Sequence, residues 1–244
     1  MNDTCDLTTY SASKLAELIR SNIVSSEEVV KAHISRVKKV NPRLNAVVVL
    51  TEKSVLKSAR EADSLTQKSK SLPPLHGVPI TIKDAFEVAG VVSTGGTLGR
   101  KDYVPDTDAI AVKRLKQAGA IILGKTNLPE ISMGFESSNL VYGKANNPFD
   151  VERTPGGSSG GEASIIAAGG SPFGIGSDAG GSIRWPAHCC GIVGMKPTTG
   201  RTARTGHWPA FSGIFSLVTQ IGPMARSVED IALTLPMLSG PDGI

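Results

Sequence analysis

The sequence predicts an α/β layer architecture with a mainly parallel or mixed sheet, and three observations carry that expectation. Short apolar runs at residues 44–50, 78–83, 120–124, 173–175 and 192–195 have the length and branched side chains of buried strands. Between most of them lie segments whose apolar residues recur at helical spacing. The two kinds alternate, as they do when helices cover a sheet, and no internal repeat, low-complexity tract or long linker interrupts the 244 residues.

Each element has its own local reason. Ser25-Ser26-Glu27-Glu28 has the form of a capping box, and Val29, Val30, His33, Ile34 and Val37 follow at helical spacing until Asn41-Pro42, where the helix is expected to stop. Residues 44–50 read as a strand and 51–68 as a very polar helix. Val78-Pro79-Ile80-Thr81-Ile82-Lys83 reads as a short buried strand that ends in a lysine. Residues 108–118 form an amphipathic helix with Gly119 as its C-terminal stop, feeding the strand at 120–124. A small-residue helix at 162–168 springs from a glycine-rich turn, which sets Ser158 and Ser159 near its positive N-terminal end. A last helix spans 227–238, with Ser227 as N-cap and Asp230 three residues on.

Composition removes several function classes. Hydrophobic residues make up 40% of the chain, enough to bury a sizeable core. The net charge of +4 comes from scattered residues, with no basic stripe interleaved with aromatics, so direct nucleic-acid binding is not expected. Cys5, Cys189 and Cys190 are an odd count with two adjacent, which points to a reduced compartment. No CxxC or HExxH occurs, and His33, His76, His188 and His207 lack ligand spacing, so neither a metal nor a cofactor is expected. Residues 1–10 are polar and acidic, unlike a signal peptide, and no run approaches the ~18 apolar residues of a membrane span. A cytoplasmic location is the resulting expectation.

The chemistry is concentrated between Thr154 and Arg201. Three glycine-rich, serine-bearing segments follow one another, each read as a turn: Pro155-Gly156-Gly157-Ser158-Ser159-Gly160-Gly161, Gly174-Ile175-Gly176-Ser177-Asp178 and Ala179-Gly180-Gly181-Ser182-Ile183-Arg184. Glycines let the backbone approach a ligand and aim successive N–H groups at one point, as an acyl-transfer site requires. A serine nucleophile also needs a base.

Competing motifs are weaker. Gly174-Ile175-Gly176-Ser177-Asp178-Ala179 fits a loose dinucleotide fingerprint, but Pro186 follows too soon for a long helix and no acidic residue occurs from Ala179 through Val228. Gly157-Ser158-Ser159-Gly160-Gly161 satisfies the nucleophile elbow G-x-S-x-G with Ser159 central. That rival needs Asp178 with His188 or His207 as its downstream acid and base, compressed into a short stretch. Ser11-Ala12-Ser13-Lys14 and Ser54-Val55-Leu56-Lys57 match S-x-x-K without companion motifs.

The runs Gly77-Val78-Pro79-Ile80-Thr81-Ile82-Lys83-Asp84, Pro155-Gly156-Gly157-Ser158-Ser159-Gly160-Gly161-Glu162 and Gly176-Ser177-Asp178-Ala179-Gly180-Gly181-Ser182-Ile183-Arg184, with Gly194-Met195-Lys196-Pro197-Thr198 beyond, resemble the amidase signature family of serine amidohydrolases. Lys125-Thr126-Asn127 and Gln220-Ile221-Gly222-Pro223-Met224 extend the resemblance over nearly the whole chain. It implies a mixed, twisted central sheet covered by helices on both faces. It also implies a Ser–cis-Ser–Lys triad in which Ser182 is the nucleophile, Ser158 the bridging serine on a cis peptide and Lys83 the base. A lysine is protonated at neutral pH unless desolvated, so Lys83 is expected to be buried at the end of its strand. The N–H groups of Ala179, Gly180, Gly181 and Ser182 are then the expected oxyanion hole, with Ser159, Asp178 and Arg184 as supporting residues.

Members of this family are generally longer. The resemblance therefore implies that residues 1–244 are the amino-terminal part of a single amidase domain, holding the whole catalytic core, and that alone it is weakly active, inactive or aggregation-prone. The implied activity is cleavage of carboxylic, including fatty-acyl, amides through a Ser182 acyl-enzyme. The implied partner is a small-molecule amide, with homo-oligomerisation left open. Thr205-Gly206-His207-Trp208-Pro209 looks more like the stand-alone hydrolases than like the amidase subunit of a glutamyl-tRNA amidotransferase, which remains the alternative beside a truncated binding module.

Overall fold

The structure is a computed structural model that describes residues 6–69 and 71–242; Cys5 lies outside the described residues. Its centre is a six-stranded mixed sheet of order β1-β3-β2-β6-β8-β7. The strands are β1 (Val47–Leu50), β2 (Pro79–Lys83), β3 (Ile121–Thr126), β6 (Phe173–Asp178), β7 (Val193–Gly194) and β8 (Gln220–Ala225), and a separate two-stranded ribbon pairs β4 (Ser138–Asn139) with β5 (Gly143–Lys144). β2 runs parallel to both β3 and β6, while β1, β7 and β8 pair antiparallel. The parallel trio occupies the middle, and every residue of β2, β3 and β6 is buried. Strands covered on both faces read as continuous apolar runs rather than as alternation.

Helices lie on both faces. Leu15 and Ile19 of α1 (Ala12–Arg20), Val112 and Leu115 of α4 (Ile110–Gln117) and Ile231 and Leu238 of α8 (Val228–Leu238) pack with Ile80, Ile82, Ile122 and Ile175 of the sheet. Val30, Ile34 and Val37 of α2 (Ser26–Leu44), Val55 and Ala59 of α3 (Glu52–Lys68) and Ile165 of α5 (Gly160–Ala167) pack with Ile121 and Leu123. Each such branched side chain taken fully from water stabilises the fold by roughly 1.5–3 kcal/mol before entropy is counted. Two further short helices, α6 (Arg184–Cys189) and α7 (Gly213–Val218), flank the pocket described below. Among the described residues no helix is long and apolar enough to cross a membrane.

Three local expectations need correction. Ser25 closes a full capping box with Glu28, but α2 does not stop at Asn41-Pro42; it runs through Pro42 to Leu44 and ends on the left-handed Asn45. Leu44 is buried against the second apolar layer, and that packing holds the last turn together although Pro42 has no N–H to offer. At the last helix, Ser227 caps the Asp230 N–H, yet the Asp230 carboxylate does not reach back. It accepts from the N–H groups of Ala12 and Ser13 and so tethers the start of α1. Finally, the strand expected at residues 173–175 does not give way to a turn but continues through Gly176-Ser177-Asp178 as β6.

The two glycines in that strand serve close approach. A Cβ on Gly174 would collide with the Glu162 carboxyl of α5 and the Thr81 carbonyl of β2, and one on Gly176 would come within 2.6 Å of Ser159 Oγ. Glycine thereby lets α5 sit directly over β2 and β6. We expect Gly174→Ala to destabilise the protein by about 1–3 kcal/mol through overpacking, read as a lower midpoint in urea unfolding.

Candidate active site

The parallel trio brings three strand ends to one edge, the place where open α/β sheets bind ligands. β2 ends at Lys83 and β6 at Ser177-Asp178, and the turn entering α5 carries Ser158 over both. The Gly157–Ser158 peptide is cis. Lys83 is fully buried, and its Nζ lies 2.6 Å from Ser158 Oγ and 3.0 Å from Ser177 Oγ. Both neighbours are uncharged hydroxyls. Burial is the main cause that pulls the lysine down to about 7 from its ordinary 10.5, with Asp178 and Glu162 pulling the other way.

The acids around the amine are engaged elsewhere. Asp178 receives the Arg184 guanidinium in a bidentate pair, Nε to Oδ2 and Nη2 to Oδ1, both at 2.9 Å. It also accepts from the N–H groups of Gly181, Ile183 and Arg184. Burial pushes the Asp178 carboxyl up, but Arg184 and those three N–H groups together hold it below the usual carboxylate range. Glu162, fully buried on α5, accepts from the hydroxyls of Thr81 and Thr126, and burial lifts it to about 7. Asp84 is tied to the neighbouring buried lysine, Lys125, at 2.7 Å.

Above this layer is a cavity of ≈ 180 Å³ lined by Ser158, Ser177, Ala179, Gly180 and Ser182 together with Met133, Phe135, Phe211 and Phe215. Ser182 thus shares a pocket with Ser158, and the Ser182 carbonyl accepts the Ser159 N–H at 3.1 Å. No Ser158–Ser182 side-chain hydrogen bond is formed among the described residues. Hydrogen bonds in ligand-free active sites are often long and tighten only with substrate bound.

The four N–H groups expected to meet an oxyanion differ in their present partners. The Gly181 N–H is committed to Asp178 Oδ1 at 2.7 Å, because the φ of +121° that glycine allows there turns it back toward the loop anchor. The N–H groups of Ala179, Gly180 and Ser182 carry no hydrogen bond among the described residues and line or adjoin the cavity. The Ser159 backbone N–H bonds the Ser182 carbonyl, while its hydroxyl makes only a long 3.5 Å bond to the Ser177 carbonyl. The nucleophile-elbow alternative is not assembled: Asp178 faces Arg184, His188 stacks on Trp185, and His207 bonds Ser177 rather than Ser159.

Sequence reasoning missed Ser177 and His207 as neighbours of Lys83. Ser177 was visible only as one serine in a glycine-rich run; that its strand would pair beside the lysine's is set by the β2–β6 register, in which Thr81 faces Gly174 and Ile82 faces Ile175. His207 is 30 residues further on and reaches the site through a loop.

A family model described as Amidase matches residues 28–243. The chain belongs to the amidase family. It is 44% identical over 241 residues to the indoleacetamide hydrolase of Bradyrhizobium diazoefficiens, covering 96% of this chain and 45% of that protein. It is 45% identical over 232 residues to one subunit of the glutamyl-tRNA(Gln) amidotransferase of Carboxydothermus hydrogenoformans, covering 95% and 47%. A solved fatty acid amide hydrolase superposes with a TM-score of 0.91 at 34% identity, covering 96% of this chain and 42% of that one. The amidase chain thus spans about half the length of the curated relatives it matches.

The Asp178 anchor gives a stability test within this amidase fold. Arg184 is 55% exposed, so Arg184→Ala is expected to cost about 1 kcal/mol or less. Asp178→Ala, which strands the N–H groups of Gly181, Ile183 and Arg184, is expected to cost about 3 kcal/mol, with both values read by chemical denaturation.

Proposed function

We propose that the protein is an amidohydrolase that cleaves carboxylic amides through a Ser182 acyl-enzyme, with Lys83 as the base and Ser158 as the relay. The observation that carries this reading is a buried amine, brought down by burial to a pKa of about 7, 2.6 Å from a serine hydroxyl that shares a pocket with a second serine. Neutral Lys83 takes the proton of Ser158 as Ser158 takes that of Ser182, and Ser182 Oγ attacks the amide carbon. The oxyanion that forms is met by the N–H groups of Ala179, Gly180 and Ser182, held in place by the Asp178 carboxylate. The proton returns through Ser158 to the leaving nitrogen, and water then cleaves the ester by the same route in reverse.

Met133, Phe135, Phe211 and Phe215 around the pocket favour an apolar acyl group, fatty-acyl chains included. The similarity to an indoleacetamide hydrolase and to a fatty acid amide hydrolase supports hydrolysis rather than transfer. The similarity to a component of an amidotransferase keeps one alternative specific, and glutamine-dependent activity that arises only with partner proteins would favour it.

A fluorophosphonate is expected to label Ser182, and Ser182→Ala to abolish labelling. Because only the uncharged amine accepts a proton, the labelling rate is expected to rise with pH through about 7, where Lys83 loses its charge, and to level off above it. Lys83→Ala is expected to lower the rate by at least about 100-fold. A pH-independent rate, or full labelling in Ser182→Ala, would refute the reading.

A further inference from the structure

His207 is a buried titratable group that the proton relay above does not use. Its ring sits edge-on to Phe86 with centroids 5.2 Å apart, against Phe211 at 5.7 Å, and only 6% of the residue is exposed. Both ring nitrogens are engaged. Nδ1 lies 3.1 Å from the Pro209 carbonyl and Nε2 2.8 Å from Ser177 Oγ. A carbonyl only accepts, so Nδ1 carries the proton and Nε2 of the neutral ring is bare.

The consequence runs along the chain of hydrogen bonds. A bare Nε2 makes the Ser177 hydroxyl the donor to His207, so Ser177 Oγ can only accept from Lys83 Nζ, 3.0 Å away. A neutral lysine has two N–H bonds and one lone pair, and hydroxyls of Ser158 and Ser177 both lie within reach of it. Were Ser177 free to rotate, its proton would compete with that of Ser158 for the lone pair. With Ser177 locked as an acceptor, the lone pair has one partner, Ser158.

We propose that His207 is a positioning residue that, by accepting the Ser177 proton, directs the Lys83 lone pair onto Ser158. This rests on the reading of Lys83 and Ser158 as base and relay. A charged imidazole would donate from Nε2 and reverse the chain; burial and the neighbouring charges of Lys83 and Arg204, opposed by the Pro209 carbonyl, hold the ring at about 3 and so neutral. The other acids near Lys83 are Asp178 and Glu162, which bond Arg184 and the two threonines rather than this chain.

The test is the fluorophosphonate labelling rate at pH 8 of the purified protein and its variants. His207→Leu removes the acceptor and is expected to slow labelling about ten-fold or more, whereas His207→Gln, whose amide oxygen can accept, stays within about three-fold of the unaltered protein. In a Ser177→Ala background His207→Leu is expected to add less than about two-fold, because the residue acts through that hydroxyl. A wild-type rate in His207→Leu, equal losses in the leucine and glutamine variants, or an undiminished loss in the Ser177→Ala background would each overturn the proposal. Histidine ¹⁵N spectra test it without altering His207: an Nδ1–H ring that responds to Ser177→Ala supports it, and an Nε2–H ring overturns it even if the leucine variant fails to fold. Failure of the underlying relay is separable, since it would show as full labelling in Lys83→Ala.

Discussion

An amine held in the interior without an ion-pair partner is the constraint around which this molecule is arranged. Lys83 and Lys125 stand on adjacent parallel strands, both fully buried, and meet opposite chemistry. Burial pulls Lys125 down as well, but the Asp84 carboxylate at 2.7 Å, with the Ser93 hydroxyl at 2.8 Å, opposes it directly. Lys83 has only hydroxyls within bonding distance, so burial goes unopposed at short range and the proton becomes easy to lose.

Keeping that difference requires that every nearby acid be occupied. Asp178 is paired with Arg184 while its oxygens gather the backbone N–H groups of Gly181, Ile183 and Arg184, so one carboxylate both spares the lysine and shapes the loop that carries Ser182. Glu162 is wrapped by threonine hydroxyls, and burial keeps its carboxyl from being fully charged near pH 7. Asp84 is claimed by Lys125. The electrostatics of the site are therefore a property of the packed sheet ends and not of any one motif.

The same closeness explains the glycines. Gly174 and Gly176 bring α5 against the sheet, so that Glu162 and Ser159 sit where a side chain on the strand would otherwise be. The turn before α5 can then lay Ser158 over the end of β2. Side chains placed this closely depend on rigid elements meeting, and the candidate site is accordingly built at strand ends rather than on a free loop.

Local patterning in the sequence was enough to determine the α/β alternation, the capping box at Ser25, the buried run that ends in Lys83 and the clustering of Ser158, Asp178 and Ser182 in glycine-rich segments. These depend on near neighbours, through side-chain period, backbone freedom and capping. It did not determine that α2 continues past Pro42, that Asp230 reaches α1 instead of its own helix, that the strand begun at Phe173 runs on through Ser177 and Asp178, or that the Gly181 N–H donates to Asp178. Nor did it show that Ser177 and His207 flank the lysine. Each of these is settled by which strands pair and which surfaces pack, contacts between residues far apart in the chain, and those exist only once the sheet has closed.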